Sequence, residues 1–82
     1  MFELLESRII GEDLYKVFKI EKDDKVEKIG LKIRPEWDNR LMGITVYYKS
    51  GRVTSFSGSL SNHKMPIKYR NYVKQIIKNI KF

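Results

Sequence analysis

Apolar and polar positions alternate most cleanly in the middle of the chain. Ile29, Leu31 and Ile33 are interleaved with Lys28, Gly30, Lys32 and Arg34, a period of two that predicts a strand burying its odd positions and showing its even ones. After a polar connection at Pro35 to Arg40, Met42, Ile44, Val46 and Tyr48 alternate in the same way with Gly43, Thr45, Tyr47 and Lys49. Antiparallel pairing with Ile33 facing Met42, Leu31 facing Ile44 and Ile29 facing Val46 puts both apolar sets on one side, and a slip of one residue would expose one of them. The other side then pairs Lys32 with Gly43, Gly30 with Thr45 and Lys28 with Tyr47. Cations, small residues and an aromatic ring share that face.

The flanking segments extend this pair. Leu14 to Glu21 is rich in β-branched and aromatic residues and precedes Asp23-Asp24, which predicts a hairpin into the Val26 to Arg34 strand. Lys49-Ser50-Gly51-Arg52 reads as a turn and Val53 to Ser57 as a further strand. A two-residue turn would set Phe56 beside Thr45 and Tyr47, whereas a bulged three-residue turn would set it beside Val46 in the core. Burying a Phe is worth about 2 kcal/mol, which favours the core. Ser57 to Met65 reads as a loop, and Pro66 suits the first turn of a helix over about 66–80. Tyr69, Val73, Ile76, Ile77 and Ile80 form its apolar stripe, with Arg70, Lys74, Lys78 and Lys81 along one flank. Residues 2–10 read two ways. Phe2, Leu5 and Ile9 approach helical spacing with Gly11 as a stop, yet the segment also reads as a strand turning at Gly11-Glu12-Asp13. The expected fold is therefore a single α+β domain over residues 1–82, an antiparallel meander of about four strands with a C-terminal helix on one face. Its N-terminal element is a short helix or an extra strand.

Composition narrows what such a domain can do. With 82 residues and no cysteine, the chain supports one modest core and no disulfide, thiolate zinc site or Cys nucleophile. Its longest uncharged run, Leu41 to Tyr48, falls far short of the roughly 20 residues of a membrane-spanning helix. The N-terminus does not resemble a secretory signal, so a soluble cytoplasmic protein without a membrane partner is expected. Ten Ile, twelve Lys and no Ala are an AT-rich codon signature, which points to a viral or low-GC genome.

Charge changes the picture more. All ten carboxylates lie in the first 38 residues, alongside eight Lys or Arg, while Asn39 to Phe82 holds nine Lys or Arg and no carboxylate, for a net charge of +7. A one-sided field of this kind attracts a polyanion. Lys28, Lys32, Arg34, Tyr47 and Lys49 on the cationic strand face combine phosphate-binding charge with a stacking ring. Arg40, Arg52 and Lys64 flank that face, and Arg70 and Lys74 begin the helical ridge. A flat sheet suits unstacked bases better than a duplex groove, so RNA or single-stranded DNA is the expected partner.

Catalytic material is sparse. The lone histidine, His63, sits in a polar loop with no carboxylate after Asp38 to orient it. Asp23 and Asp24 occupy a turn, where Asp is favoured for backbone reasons. Trp37 is expected to cap the sheet edge. No metal-ligand spacing or glycine-rich phosphate loop is present, and no cofactor is expected.

Gly58-Ser-Leu-Ser-Asn-His-Lys-Met-Pro66 leading into a basic helix resembles the tail of HicA-type mRNA interferases. The early Gly-Ser-His-type strand motif that carries their catalytic His is missing, so that activity does not carry over. The strand meander with a C-terminal helix is similar in topology to single-strand-binding positive-cofactor domains. The expectation is a small, non-catalytic nucleic-acid-binding protein. Two alternatives stand beside it. One is an interaction module docking on an acidic protein, for example a viral accessory factor antagonising a host enzyme with RNA bridging the two. The other is a compact metal-independent ribonuclease working by charge stabilisation. A homodimer through a free sheet edge is compatible with all three.

Overall fold

The computed structural model describes residues 2–58 and 64–79. Five antiparallel strands follow one another in space as in sequence: β1 (Phe2–Ile10), β2 (Asp13–Ile20), β3 (Val26–Arg34), β4 (Arg40–Tyr48) and β5 (Val53–Ser57). A helix, α1 (Ile67–Asn79), closes one face. The fold is α+β, and the N-terminal element is a strand. Gly11, at φ +61, turns β1 into β2, with Ile10 opposite Asp13.

The central register is as the alternation predicts for most of its length. Ile29 faces Val46, Gly30 faces Thr45, Leu31 faces Ile44 and Lys32 faces Gly43. Beyond that point a bulge intervenes, and Ile33 faces Leu41 in place of Met42. The Pro35–Trp37 helical turn and left-handed Asp38 and Asn39 close the connection to Arg40, opposite Arg34. An extra residue in one strand is how the ladder absorbs such a loop without turning its apolar side outward. The β4–β5 turn is the bulged three-residue form. Tyr48 accepts from Gly51 N–H and donates its own N–H to the Arg52 carbonyl, both at 2.9 Å, with Gly51 at φ +93. Phe56 accordingly faces Ile44 on the core side.

The core joins Phe18, Ile20, Val26, Ile29, Leu31, Ile33, Ile44 and Val46 to Met65, Val73 and Ile76. Tyr69, Tyr72 and Ile77 pack against it from the helix, and Ile80 and Lys81 lie outside the described residues. Pro66 stands just ahead of α1, its carbonyl accepting from Tyr69 and Arg70 N–H at 3.1 and 3.2 Å. Trp37, expected to cap the sheet edge, is 52% exposed and carries the Arg34 guanidinium over its ring. No described helix is long and apolar enough to cross a membrane.

The helix is moored by Asp23, only 4% exposed in the β2–β3 turn. One carboxylate oxygen accepts the N–H groups of Lys25 and Val26, both at 2.8 Å; the other accepts from Lys68 Nζ at 2.7 Å and from the Tyr72 hydroxyl. Burial pushes this carboxyl upward, but the Lys68 ammonium, the Tyr72 hydroxyl and the two backbone donors outweigh it and hold it well below the usual carboxylate range. The turn preference read from the sequence is real, and the same side chain also ties turn to helix.

Candidate nucleic-acid interface

The candidate residues fall in three places. Lys28, Lys32, Arg34, Arg40 and Tyr47 belong to the sheet face opposite α1 by their register. Lys49 and Arg52 belong to the β4–β5 turn, and Lys64, Arg70 and Lys74 to the helix and its approach.

On the open face, alternation does bring the predicted side chains together, but much of their chemistry is already spent. Gly30 leaves a gap that the Tyr15 ring fills: a Cβ added there would lie 2.7 Å from the ring's Cζ. The Tyr15 hydroxyl meets the Tyr47 hydroxyl at 2.5 Å, spanning β3 from β2 to β4. Burial, then that hydrogen bond, pushes Tyr15 up to about 12. Lys28 Nζ stands 4.9 Å from the Tyr47 ring centroid, and the Arg8 guanidinium 5.7 Å from that of Tyr15. For a base to stack on Tyr47, Lys28 must first move aside.

Arg34 is committed further. Its Nε donates to Asp13 Oδ1 at 2.9 Å and its Nη2 to Oδ2 at 3.4 Å; Nη1 lies 3.9 Å from Glu12. The guanidinium covers the Trp37 ring at 4.4 Å. Lys32 Nζ reaches the same Asp13 at 3.6 Å. The Arg34 hydrogen bond, aided by the charges of Arg34 and Lys32, outweighs burial and lowers the Asp13 pKa. Asp13 thus pairs with two of the predicted cations at once, and Glu12 supplies the second negative charge beside them. Neither Asp13 nor Tyr15 was singled out from the sequence. Both become legible once β2 is aligned on β3, because Tyr15 falls opposite Lys32 and Leu14 opposite Ile33, which sets Asp13 beside Arg34.

The turn end differs. Asp24, Lys25, Tyr48, Lys49, Ser50 and Arg52 line an open hollow of about 330 Å³ between the β2–β3 and β4–β5 turns. Lys49 N–H donates to the Lys25 carbonyl at 2.8 Å, which holds the two turns together. The Arg52 guanidinium lies 5.6 Å from the Tyr48 centroid, and Tyr48 meets Tyr69 edge to face at 6.2 Å. The Tyr48 hydroxyl, then burial, raises Tyr69 to about 12. Three cations around an aromatic wall can grip a phosphate and pack a sugar or base beside it. Lys25 and Tyr48 are the members that reading by strand face left out, because they belong to the helix-side register and to a turn.

The helical set is dispersed. Lys64 and Lys74 are exposed, while Arg70 is half-buried and donates Nη2 to the Met65 carbonyl at 3.4 Å. Lys68, of the same helix, is held by Asp23. His63 lies outside the described residues. Among the described residues, no three His, Cys, Asp or Glu side chains gather where they could hold a metal ion.

Set against known protein families, curated proteins and solved structures, the chain finds no match in any of the three.

Proposed function

We propose that this protein is a small, non-catalytic nucleic-acid-binding protein that grips single-stranded RNA or DNA by its phosphates, led by the cations of the turn end. One observation carries the reading. Among the described residues, ion pairs engage Arg8, Lys32, Arg34 and Lys68, whereas Arg40, Lys49, Arg52, Lys74 and Lys78 make none. The chain past Asp38 contains no carboxylate to neutralise them. The charge excess of the sequence therefore survives folding as available charge, and a polyanion is its natural complement. Lys25, Lys49 and Arg52 line the hollow against a single carboxylate, Asp24, with Lys28 on the adjoining end of β3.

Titration of fluorescent single-stranded RNA, single-stranded DNA and duplex at several salt concentrations tests this. Contact with three phosphates predicts a log–log salt slope of about −2 for the single strands, at about −0.7 per phosphate. No binding of any nucleic acid at low salt overturns the reading.

A further inference from the structure

Among the described residues, the outer edge of the sheet at β1 has no neighbouring strand. It also gathers four of the exposed large apolar side chains among the described residues: Ile9 is 78% exposed, and Leu4, Leu5 and Ile10 are each about half exposed. A nine-residue edge strand offers a long row of backbone N–H and C=O groups without ladder partners. The opposite edge, β5, has five residues and mostly small polar side chains.

We propose that β1 pairs antiparallel with β1 of a second copy of this chain, about a twofold axis through Ser7, so that two sheets run on as one. The register carries the argument. A bulge at Leu5, between Leu4 and Glu6, interrupts the ladder with β2, and beyond it the strand alternates regularly, with Ser7 and Ile9 on the helix side and Glu6 and Arg8 on the open side; the same alternation run back from Glu6 sets Leu5 on the helix side. Residues meeting across a twofold antiparallel seam must lie on the same face, so the axis passes through a residue and not between two. Centring on Glu6 opposes Glu6 to itself, and centring on Arg8 opposes Arg8 to itself; like charges directly opposite are destabilising. Centring on Leu5 leaves Glu6 facing Leu4 and Arg8 facing Phe2, and centring on Ile9 sets Arg8 against Ile10 and Glu6 against Glu12.

Of these centres only Ser7 sets unlike charges opposite each other. Glu6 then meets the other copy's Arg8, and Leu5 meets the other copy's Ile9, each contact occurring twice by symmetry. Glu6 and Arg8 already lean together along the edge, at 3.0 Å, so the seam closes into a ring of two carboxylates and two guanidinium groups on the open face. The helix-side contact buries Leu5 and Ile9. Charge distribution favours a second copy on this edge, because β1 and β5 lie at opposite sides of the sheet and the Lys49 and Arg52 turn stays far from the seam. The basic ends of the two copies point apart.

The test uses the full chain without nucleic acid, which separates this inference from the binding reading. Sedimentation or light scattering over a micromolar concentration series is expected to reach twice the 9.8 kDa chain mass. Ile9 is too exposed to support the monomer fold, so Ile9→Lys is expected to retain the circular dichroism spectrum while weakening the dimer at least about tenfold. Because the chain has no cysteine, single-Cys variants report the register. Ser7→Cys is expected to cross-link under mild oxidation, since directly opposed residues fall within the roughly 7 Å Cα separation a disulfide tolerates. Glu3→Cys is not expected to cross-link, its two copies lying roughly 26 Å apart along the seam. A mass that stays monomeric at every concentration overturns the proposal. So does cross-linking of Glu3→Cys as readily as Ser7→Cys, or growth into open polymers, which would signal β1 pairing with β5.

Discussion

The two ends of the sheet each hold a buried aspartate, and the two aspartates do opposite things to the charge around them. At one end Asp13 gathers Arg34 and Lys32 and spends their charge on the fold. At the other, Asp23 engages only Lys68 among the cations and uses its remaining capacity on two backbone N–H groups and Tyr72. Lys25, Lys49 and Arg52 around it are left without ion pairs among the described residues. Cations grouped on one face by strand alternation are therefore not equally available. What decides availability is which of them a buried carboxylate can reach.

The comparison breaks most visibly at Asp23. Asp23→Ala removes four hydrogen bonds at a buried site and strands Lys68 and Tyr72, so urea unfolding is expected to show a loss of about 3 kcal/mol. Asp13→Ala is expected to cost less, because the hydrogen bonds it removes come from a side chain, whereas Asp23 also holds the backbone N–H groups of Lys25 and Val26. Both carboxyls sit below their ordinary pKa in the fold, so the stability they confer is complete above the unfolded value of about 4 and lost as pH falls below it. Asp23→Asn should flatten that acid limb more than Asp13→Asn does, as read by thermal melts from pH 5 to about 2.

The alkaline limb tests the aromatic contacts at both ends. Tyr15 on the open face, and Tyr69 and Tyr72 on the helix, are each raised to about 12. The fold favours the neutral phenol at these positions, so the stability they contribute is whole below about pH 10 and disappears as pH rises from there toward 12. Absorbance titration at phenolate wavelengths should show three tyrosines ionising late, together with unfolding. A smaller effect isolates one bond of the mooring. Tyr72→Phe leaves the ring packed against Phe2 but deletes the donor to Asp23, and should cost about 1 kcal/mol.

How far the sequence carries can be judged at particular residues. The facing of β3 against β4 was readable because Ile29, Leu31, Ile33, Ile44 and Val46 all need one side, and a slip of a single residue denies it to one set. Met42 and Ile33 escaped because a bulge is a local answer to a loop and leaves the hydrophobic alternation looking regular. β1 was ambiguous for a related reason. Its bulge between Leu4 and Glu6 shifts the period of two by one residue, so Phe2, Leu5 and Ile9 imitate helical spacing. The candidate site was legible as a set of cations and only partly as a surface. That Arg34 is neutralised follows from Asp13 standing beside it across β2 and β3, a contact visible only after two strands are aligned. The hollow at the turn end required two hairpin turns to be brought together by the Lys49 to Lys25 hydrogen bond, and no pattern within either turn announces that.

The central claim, that charge at the Asp23 end is free for a polyanion and charge at the Asp13 end is not, is met most directly by one comparison. Single-stranded RNA is titrated over a salt series with the wild-type chain, with Lys49→Gln/Arg52→Gln and with Lys32→Gln. The turn variant is expected to lose about 1.4 of the log–log slope, about 0.7 for each phosphate contact removed, while Lys32→Gln stays close to wild type. A slope that falls as far with Lys32→Gln as with the turn variant, or that the turn variant leaves unchanged, would contradict it.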